Sequence, residues 1–387
     1  MLCNMRILIL TSYTVPDYAG GGINAWRFAS YLNSIGNPNK ILTLNRNLKY
    51  ERKEIINGVN IRRLPYFNAN QITKLISYLI FVWPGYVYHA LMSDYIYVIG
   101  ANLIGYQGFL WFGSMIGKTT VFRSSLFGFD DLYSLLGKSK SRFIFQHTTL
   151  AGIHIYLSIN PSFTKSHEKS GIHFKKVIEA SQGVDTDLFH PVSHERKKSL
   201  RKKYSIPFET FLVLSVGHII KRKGFDHIFE HLSKIELDFL YLIAGETTFE
   251  NGHFMSAYSK ETEALIERGK ATLAEKLRLS GAVNDIVELY QMADVFLLGS
   301  LNEGTPNVLL EAMSCGLPVI CRDLEGITQF LIFPGKNGYL FNDFESFKTA
   351  FLNLYRHADI CQEFGRFSRA IIEKDHSFKK LYQQILE

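Results

Sequence analysis

The sequence predicts an α/β protein of two doubly wound domains, each a parallel sheet covered by helices. Short runs rich in β-branched residues alternate with longer segments of helical periodicity, which is typical of parallel sheets. A polar, basic segment at 191–207 interrupts this alternation, and a second series of strands follows it. The length of 387 residues also suits two hydrophobic cores better than one.

The expected elements follow from the same patterns. In the first series we expect a helix over about 23–35 and strands at 6–10, 41–44, 95–99, 119–122, 155–159 and 176–180. In the second series we expect strands at 211–216, 239–244, 277–281, 294–299, 317–321 and 338–341. The predicted division is an N-terminal domain over 1–190, a linker over 191–207, a C-terminal domain over 208–365 and a C-terminal helix at 366–387 that can pack back on the first domain.

The charge distribution restricts the partners. The net charge is +7, and the positive excess lies in residues 1–195, which hold 19 Lys and Arg against 11 Asp and Glu. A basic half can face nucleic acid, an anionic membrane or a phosphorylated substrate. Because the sequence has neither an aromatic ribonucleoprotein motif nor a zinc finger, we expect no nucleic-acid partner.

The cysteines and the first residues indicate the compartment. The four cysteines are widely spaced without a C-x-x-C pair, so neither a zinc site nor a disulfide framework is expected. The opening MLCNMRILIL leads into a strand and lacks the features of a signal peptide. We therefore expect a cytoplasmic protein.

The longest uncharged run is LISYLIFVWPGYVYHALM at 75–92. Pro84-Gly85 in its middle argues against a membrane span, although eighteen residues approach the required length. Two buried helices flanking a turn are the favoured interpretation, and a segment that touches a membrane interface is the alternative.

The segment NEGTPNVLLEAMSCGLPVI at 302–320 is the most informative motif. It predicts a strand, a turn and a helix, with Thr305 as the helix cap and Pro306 at the first helical position. The free amides around Gly304 and Asn307 would then form a site for phosphate or sugar oxygens. Glu303 and Glu311 can both face one ligand, and a carboxylate suits a vicinal diol, although an ordinary solvated pair is the simpler alternative.

This motif resembles the signature of GT-B glycosyltransferase family 4. The resemblance implies that Glu303 contacts hydroxyls of the transferred sugar and that Glu311 holds the ribose of the donor. FLVLSVGHIIKRKGFDHI at 211–228 resembles the family's phosphate-binding loop, so Lys223 would neutralise the diphosphate. Gly217 belongs to that loop, and His218 stands where many members have arginine.

Two further segments resemble the same family. LRLSGAVNDIVELYQMADVFLLGS at 277–300 implies a weak contact between residues 281–283, including Val283, and the nucleotide base. The glycine-rich turn within 11–36 implies that Gly20, Gly21 and Gly22 allow the backbone to approach the donor phosphate and the acceptor. Taken alone, three glycines fit a flexible turn equally well.

Two features depart from or compete with the pattern. Ser125 stands where many members have an acceptor-side histidine, which leaves Arg123, Asp130 and Asp131 as candidates for acceptor contacts or for structural roles. Residues 185–187 spell the D-x-D of metal-dependent glycosyltransferases of another fold. Their position in the interdomain hinge favours coincidence, and we expect no metal.

The resemblance implies two Rossmann-like domains that face each other across a cleft. It also implies a retaining transferase that uses a nucleotide diphosphate sugar as co-substrate, with no other cofactor. The basic first half and the apolar run favour a lipid-linked saccharide acceptor at the inner face of the cytoplasmic membrane, as in cell-surface polysaccharide or glycolipid synthesis. A nucleotide-sugar epimerase of the same fold and a non-catalytic sugar-nucleotide-binding protein remain alternatives.

Overall fold

A computed structural model describes residues 5–17, 19–46, 48–67, 69–100, 105–136, 150, 152–248, 255–283 and 285–386. The chain forms two compact units. One comprises Met1–Gln182 and Leu381–Glu387, and the other comprises Gly183–Lys380. The last residues join the first unit through polar contacts, since the Asn37 side-chain amide donates to the Tyr382 hydroxyl at 3.1 Å.

The N-terminal unit contains a sheet that is parallel except at one edge. The described strands run in the order β3-β4-β2-β1-β5-β6-β7-β8. They are β1 (Ile7–Thr11), β2 (Asn39–Arg46), β3 (Lys53–Ile56), β4 (Val59–Tyr66), β5 (Tyr95–Ile99), β6 (Thr119–Arg123), β7 (Ile155–Ser158) and β8 (Lys176–Glu179). The described helices are α1 (Gly20–Ser34), α2 (Gln71–Ser77), α3 (Trp83–Leu91), α4 (Tyr106–Met115), α5 (Leu132–Leu136) and α6 (Pro161–Ser170), with a π-helical turn at Tyr78–Val82.

The strands β3 and β4 form an antiparallel hairpin that the sequence analysis did not predict. Their connection is Asn57-Gly58, and both residues have positive φ, 47° and 79°. An Asn-Gly pair between two apolar runs is a strong hairpin signal, because both residues tolerate the left-handed backbone of a type I′ turn. The signal was therefore present in the sequence.

The C-terminal unit contains a parallel sheet with the described strands in the order β11-β10-β9-β12-β13-β14. The strands are β9 (Phe211–Val216), β10 (Phe239–Ala244), β11 (Leu277–Gly281), β12 (Val295–Leu298), β13 (Val319–Arg322) and β14 (Gly338–Phe341). The helices are α7 (His194–Lys203), α8 (Phe225–Ser233), α9 (Ser259–Leu273), α10 (Ile286–Met292), α11 (Asn307–Ser314), α12 (Phe344–Arg356) and α13 (Ala358–Asp375). The last helix, α14 (Phe378–Leu386), begins in this unit and belongs to the N-terminal unit from Leu381 onward. Short 3₁₀ turns lie at Lys221–Lys223, Ser256–Tyr258 and Ala274–Lys276.

Both faces of this second sheet are covered. Leu212 and Leu214 of β9 enter one hydrophobic core, whereas Val213 between them enters another. A strand that is buried on both faces has a near-continuous apolar sequence, as FLVLSV does apart from Ser215, whose hydroxyl donates to the Leu297 carbonyl at 2.6 Å. The prediction of two doubly wound α/β units is confirmed.

The segment expected as a linker contains helix α7. Ser193 caps it by accepting the backbone N–H of Arg196 at 3.3 Å. Arg201 is buried and donates to Asp294 Oδ2 at 2.6 Å and to the Met292 carbonyl at 3.0 Å. These contacts make residues 194–203 a part of the C-terminal unit, although their polar composition is typical of a linker.

The apolar run at 75–92 does not form the two buried helices separated by a turn that we expected. Helices α2 and α3 are joined by the π-helical turn, so the backbone stays helical through Pro84, which lies in the first turn of α3. Val82, Tyr86 and Ala90 are buried, whereas many other apolar residues of the run are exposed. The expectation of a buried segment is therefore only half right. In the part of the chain that the structure describes, no helix has the length and hydrophobicity to cross a membrane.

Candidate functional site

The topology of each sheet indicates where a ligand can bind. In the C-terminal unit, the strand order reverses between the parallel neighbours β9 and β12: the strands after β9 extend to one side of the sheet, and those after β12 extend to the other. In the N-terminal unit, β1 and β5 are the corresponding neighbours. Loops that follow such strands leave a crevice at the carboxyl edge, which is the usual ligand site of doubly wound sheets. The candidate residues lie on these loops.

The loop after β9 brings Lys223 beside Gly217. A β-carbon on Gly217 would lie 3.6 Å from Lys223 Cε. The turn that carries Lys223 ends at Gly224, which has a φ of 68°. A β-carbon there would lie 2.0 Å from the Gly299 carbonyl oxygen, so only glycine lets this loop pack against the loop after β12. This close approach brings Lys223 to the second loop.

Glu303 on the second loop forms an ion pair with Lys223. Lys223 Nζ lies 2.6 Å from Glu303 Oε1, and Arg222 Nη1 lies 3.5 Å from Oε2. The side chain of Glu303 is 9% exposed and that of Lys223 is 14% exposed. Arg222 Nη1 also donates to the Asn302 carbonyl at 2.7 Å, which fixes this part of the loop. The structure thus joins the two residues expected to be catalytic.

The charges around Glu303 keep its carboxyl group ionised. Burial acts to raise the pKa of Glu303, but the positive charges of Lys223 and Arg222 outweigh it and lower that pKa below its usual value. Glu303 is therefore a carboxylate at neutral pH. It accepts hydrogen bonds, and it holds Lys223 in place.

Helix α11 follows this loop and begins one residue later than expected. Pro306 is the N-cap residue with extended backbone, and the helix starts at Asn307. The Pro306 carbonyl accepts the first helical bond, from Leu309 N at 3.1 Å. The expectation that Thr305 caps the helix is wrong, because the cap residue is Pro306 and no side chain caps this end. Gly304, Thr305 and Pro306 are all buried ahead of the helix.

Glu311 lies on the second turn of α11 and is 5% exposed. Its Oε2 accepts a hydrogen bond from the Tyr290 hydroxyl at 2.9 Å. Tyr290 belongs to α10 and is fully buried, so it holds the carboxylate in one orientation. Glu303 and Glu311 therefore contact different partners: a lysine in one case and a tyrosine in the other.

His218 and Val283 are the remaining candidates in this unit. His218 Nδ1 lies 3.5 Å from Glu246 Oε2, which follows β10. Val283 lies after β11 and packs partly buried against the core. Both positions are at the carboxyl edge of the sheet, since each follows a parallel strand.

The glycine-rich turn of the N-terminal unit opens helix α1. Gly20 is the first residue of this helix, and no side chain caps it. A β-carbon on Gly22 would lie 2.2 Å from the Tyr13 carbonyl oxygen, so the turn after β1 folds tightly against the helix. Arg46 Nη1 donates to the Ser12 carbonyl at 2.7 Å and stabilises the same turn. Glycine at position 22 is thus required by packing.

The three acceptor-side candidates lie together at the end of β6. Asp130 is fully buried, and its Oδ1 accepts the backbone amides of Ser125 at 2.8 Å and Leu126 at 2.7 Å. Its Oδ2 accepts the Ser125 hydroxyl at 2.6 Å. Asp130 therefore shapes the turn that presents Ser125. Arg123, the last residue of β6, is 1% exposed, and its Nη1 donates to Asn24 Oδ1 at 2.8 Å.

The neighbouring Asp131 and the D-x-D segment have local partners. Asp131 Oδ2 accepts the amide of Gly128 at 2.8 Å, and Oδ1 accepts that of Ser134 at 3.1 Å. Asp185 Oδ1 accepts the amides of Asp187 at 3.1 Å and Leu188 at 3.0 Å, so it closes a turn. Among the described residues, no group of three or more His, Cys, Asp or Glu side chains could hold a metal ion.

The sequence analysis missed four residues that contact the candidates. They are Arg222 at Glu303, Tyr290 at Glu311, Glu246 at His218 and Asn24 at Arg123. Arg222 could have been found, because it lies in the same KRK cluster as Lys223. The other three lie far in sequence from their partners, and no local pattern marks them.

Comparisons with known proteins indicate which family the chain resembles. Residues 196–370 match the family described as glycosyl transferases group 1. Alpha-galactosylglucosyldiacylglycerol synthase of Streptococcus pneumoniae is 31% identical over 172 residues, which are 43% of this chain and 43% of that protein. The putative glycosyltransferase EpsD of Bacillus subtilis is 30% identical over 198 residues, 48% of this chain and 47% of that protein. The chain thus matches just under half the length of these curated relatives.

Solved structures resemble the chain over almost its whole length. Sucrose-phosphate synthase from Thermosynechococcus elongatus has a TM-score of 0.74 at 17% identity and covers 99% of this chain and 96% of its own. Anabaena Alr3699/HepE in complex with UDP has a TM-score of 0.73 at 18% identity, with 98% of both chains covered. At these identities the likeness shows the fold. Residues 196–370 thus resemble the group 1 glycosyltransferases, and the chain as a whole has the GT-B fold of two Rossmann-like domains.

Proposed function

We propose that the protein is a retaining glycosyltransferase that moves a sugar from a nucleotide diphosphate donor to a saccharide acceptor. The observation that carries this proposal is the buried pair of Lys223 and Glu303, with Nζ and Oε1 2.6 Å apart. When the glycosidic bond of the donor breaks, negative charge develops on the leaving diphosphate. The ammonium group of Lys223 stabilises that charge, and Glu303 holds the ammonium group and accepts bonds from sugar hydroxyls.

The other candidates complete the donor site in this proposal. Glu311, oriented by Tyr290, accepts hydrogen bonds from the ribose hydroxyls. The amides before α11 add partial positive charge at the diphosphate. Val283 lies beside the base, and His218 takes the place of the usual arginine. The acceptor hydroxyl gives its proton to a phosphate oxygen of the leaving group, so no protein base is needed.

The donor reaction can be tested without knowing the acceptor. The protein is incubated with UDP-, GDP- and ADP-sugars in the presence of EDTA, and release of nucleoside diphosphate is measured with and without candidate saccharides. We expect turnover of at least one donor at full rate in EDTA, because Lys223 and helix amides supply the positive charge. Loss of activity in EDTA and recovery with Mn²⁺ would contradict the metal-free mechanism.

The same assay separates the alternatives. An epimerase converts the nucleotide sugar without net release of nucleoside diphosphate. A product of the same mass as the donor, separated from it by chromatography, would identify this activity. A binding protein would raise its melting temperature with a nucleotide sugar but release nothing. The pair of Lys223 and Glu303 supports the transferase, since an ammonium group at the diphosphate stabilises the negative charge that develops there when the donor bond breaks.

The acceptor in this proposal is lipid-linked and is met at the inner face of the cytoplasmic membrane. A surface on α2, the π-helical turn and α3, which we call the apolar surface, supports it; its exposed residues are Ile72, Leu75, Ile76, Leu79, Ile80, Tyr88, Leu91 and Met92. Exposed apolar surfaces of this extent are unusual and indicate contact with a protein or a membrane. The Streptococcus pneumoniae relative is named for a glycosylated diacylglycerol.

Positive charges beside the apolar surface favour a membrane as its partner. Burial and, to a smaller extent, the charges of Lys40, Arg62 and Lys53 together lower the pKa of His89 on α3 to about 4. His89 is therefore neutral at pH 7, and three cations lie around it. Each such cation near an anionic lipid surface contributes roughly 1 kcal/mol of attraction.

Membrane binding is expected to be reversible and to depend on both charge and apolar contact. The protein should sediment with vesicles of phosphatidylglycerol and phosphatidylcholine at low salt and should be released by high salt. The double replacement Leu79→Ser and Ile80→Ser should weaken sedimentation several-fold, whereas Phe333→Ser, an exposed apolar site of the C-terminal unit, should not. Failure to bind anionic vesicles at low salt would remove the membrane from the proposal and leave the donor site intact.

A further inference from the structure

Arg123 in the N-terminal unit is a buried cation with an incomplete set of partners. Its Nη1 donates to Asn24 Oδ1 at 2.8 Å. Its Nε and Nη2 have no hydrogen-bond partner among the residues that the structure describes. The residue is only 1% exposed, so bulk water does not replace the missing partners. Buried charge of this kind destabilises a protein unless an anion compensates it.

Other buried arginines of the chain have carboxylate partners. Arg63 Nη1 pairs with Glu54 Oε2 at 2.5 Å, and Arg201 Nη2 pairs with Asp294 Oδ2 at 2.6 Å. Near Arg123, the Asp130 oxygens accept the Ser125 hydroxyl and two backbone amides instead. In the described residues, Arg123 has no acidic side chain within ion-pair distance, and its nearest recorded ring, Tyr97, lies 5.8 Å from the guanidinium carbon.

The position of Arg123 suits an anion that comes from outside. It is paired in register with Ile99 at the end of β5. A β-carbon on Gly21 would lie 3.8 Å from Ile99 Cγ2, so the start of α1 reaches the same strand ends. Gly20 is exposed, and this helix end carries no side-chain cap. The helix dipole and the guanidinium group therefore favour negative charge at one place, beside an exposed stretch of backbone.

We propose that Arg123, with Asn24 and the start of α1, binds a phosphate or carboxylate group of the acceptor. Nε and Nη2 are the parallel donors with which a guanidinium group holds two oxygens of one anion. Asn24 uses Nη1 and keeps that pair turned toward the anion. The assignment to the acceptor depends on the proposed transferase function, whereas the anion site itself does not.

The test uses thermal unfolding of the full chain with inorganic phosphate, with glucuronate and with glucose as the neutral control. We expect phosphate or glucuronate, but not glucose, to raise the melting temperature in a concentration-dependent way. A response to phosphate alone would identify a phosphorylated acceptor, and a response to glucuronate alone would identify a uronic acid. Absence of a response to both anions would overturn the proposal.

Two variants assign the response to Arg123. Arg123→Met removes the charge at similar volume, and Asn24→Asp supplies an internal carboxylate to the same guanidinium group. In the absence of added anion, both variants should melt at a higher temperature than the wild type, because the charge of Arg123 is removed in one and compensated in the other. Added anion should then no longer raise the melting temperature of either variant. If one variant does not fold, the other decides. A lower melting temperature in the folded variant, or an anion shift equal to that of the wild type, would overturn the proposal.

Matched controls separate this site from others. Lys176→Met removes an exposed charge from the same unit and should keep the anion shift. Lys223→Met removes the positive charge of the candidate donor site, where phosphate could also bind. The part of the melting-temperature shift that is lost in Arg123→Met should still be present in Lys223→Met. Since the measurement needs neither donor nor turnover, an inactive protein that still shows the shift refutes the transferase and leaves the anion site standing.

Discussion

Replacing Lys223 by Met is expected to lower kcat by roughly 10²- to 10³-fold while the fold is retained. That range is typical for removal of one group that stabilises charge in a transition state. Lys223 is held 2.6 Å from Glu303 Oε1, so its ammonium group is already in place before the donor bond breaks. Steady-state release of nucleoside diphosphate, with circular dichroism to verify the fold, measures the effect.

The control for Lys223 is its neighbour on the same 3₁₀ turn. Lys221 is exposed; its backbone amide donates to Glu261 Oε1 at 2.8 Å, and its backbone carbonyl accepts the Gly224 amide at 2.8 Å. Lys221→Met removes the same charge from the same turn and should change kcat less than twofold. Equal losses in both variants would show that the general positive charge of the loop matters and would exclude Lys223 as a specific group.

The Glu303→Gln substitution should lower the melting temperature by removing the ion pair with Lys223, and the size of this effect should depend on pH. The folded-state pKa of Glu303 is lowered, so its carboxylate stabilises the fold above its unfolded pKa of about 4.3, and this contribution is lost as the pH falls through the folded pKa. The variant should therefore melt below the wild type at pH 7, and the two melting temperatures should converge at an acidic pH below the lowered folded-state pKa of Glu303. A difference in melting temperature that is the same at both pH values would contradict the ion pair.

Replacing Glu311 by Ala is expected to raise the donor KM by about 10- to 100-fold, which corresponds to the loss of hydrogen bonds to a charged group. The ribose does not change during the reaction, so these bonds are equally present before and during the transition state, and kcat should change much less. Steady-state kinetics measure KM and kcat, and direct titration of the protein with nucleoside diphosphate measures the loss of binding.

Tyr290→Phe and Glu363→Ala are the comparison variants for Glu311. Tyr290→Phe removes only the hydroxyl group that donates to Glu311 at 2.9 Å, so it should raise KM by less than Glu311→Ala does. Glu363 is an exposed carboxylate on α13 and should be replaceable without effect. An unchanged donor KM in folded Glu311→Ala would remove Glu311 from the site.

Local sequence patterns determined the bounds of several strands but not the role of the polar segment at 194–203. The strands at 211–216, 239–244, 277–281 and 338–341 are found with the same bounds. The first two are near-continuous apolar runs, which are typical of strands buried in a parallel sheet. Residues 194–203 were expected in a linker and form a helix. Their composition is polar, and it is Arg201, through Asp294, that joins them to the domain.

By itself, the sequence determined the two α/β domains and the loops on which the candidate residues lie. These properties follow from short-range patterns: apolar periodicity, glycine at close approaches and the order of elements along the chain. The likeness to the group 1 glycosyltransferases came instead from the resemblance of the motifs at 211–228 and 302–320. Only the tertiary structure decided which side chains meet. The contacts between Lys223 and Glu303, Tyr290 and Glu311, and Asn24 and Arg123 join residues 80, 21 and 99 positions apart. Such pairs form because parallel strands bring the loops at their carboxyl ends to one edge, and a local pattern cannot show which partner a side chain finds there.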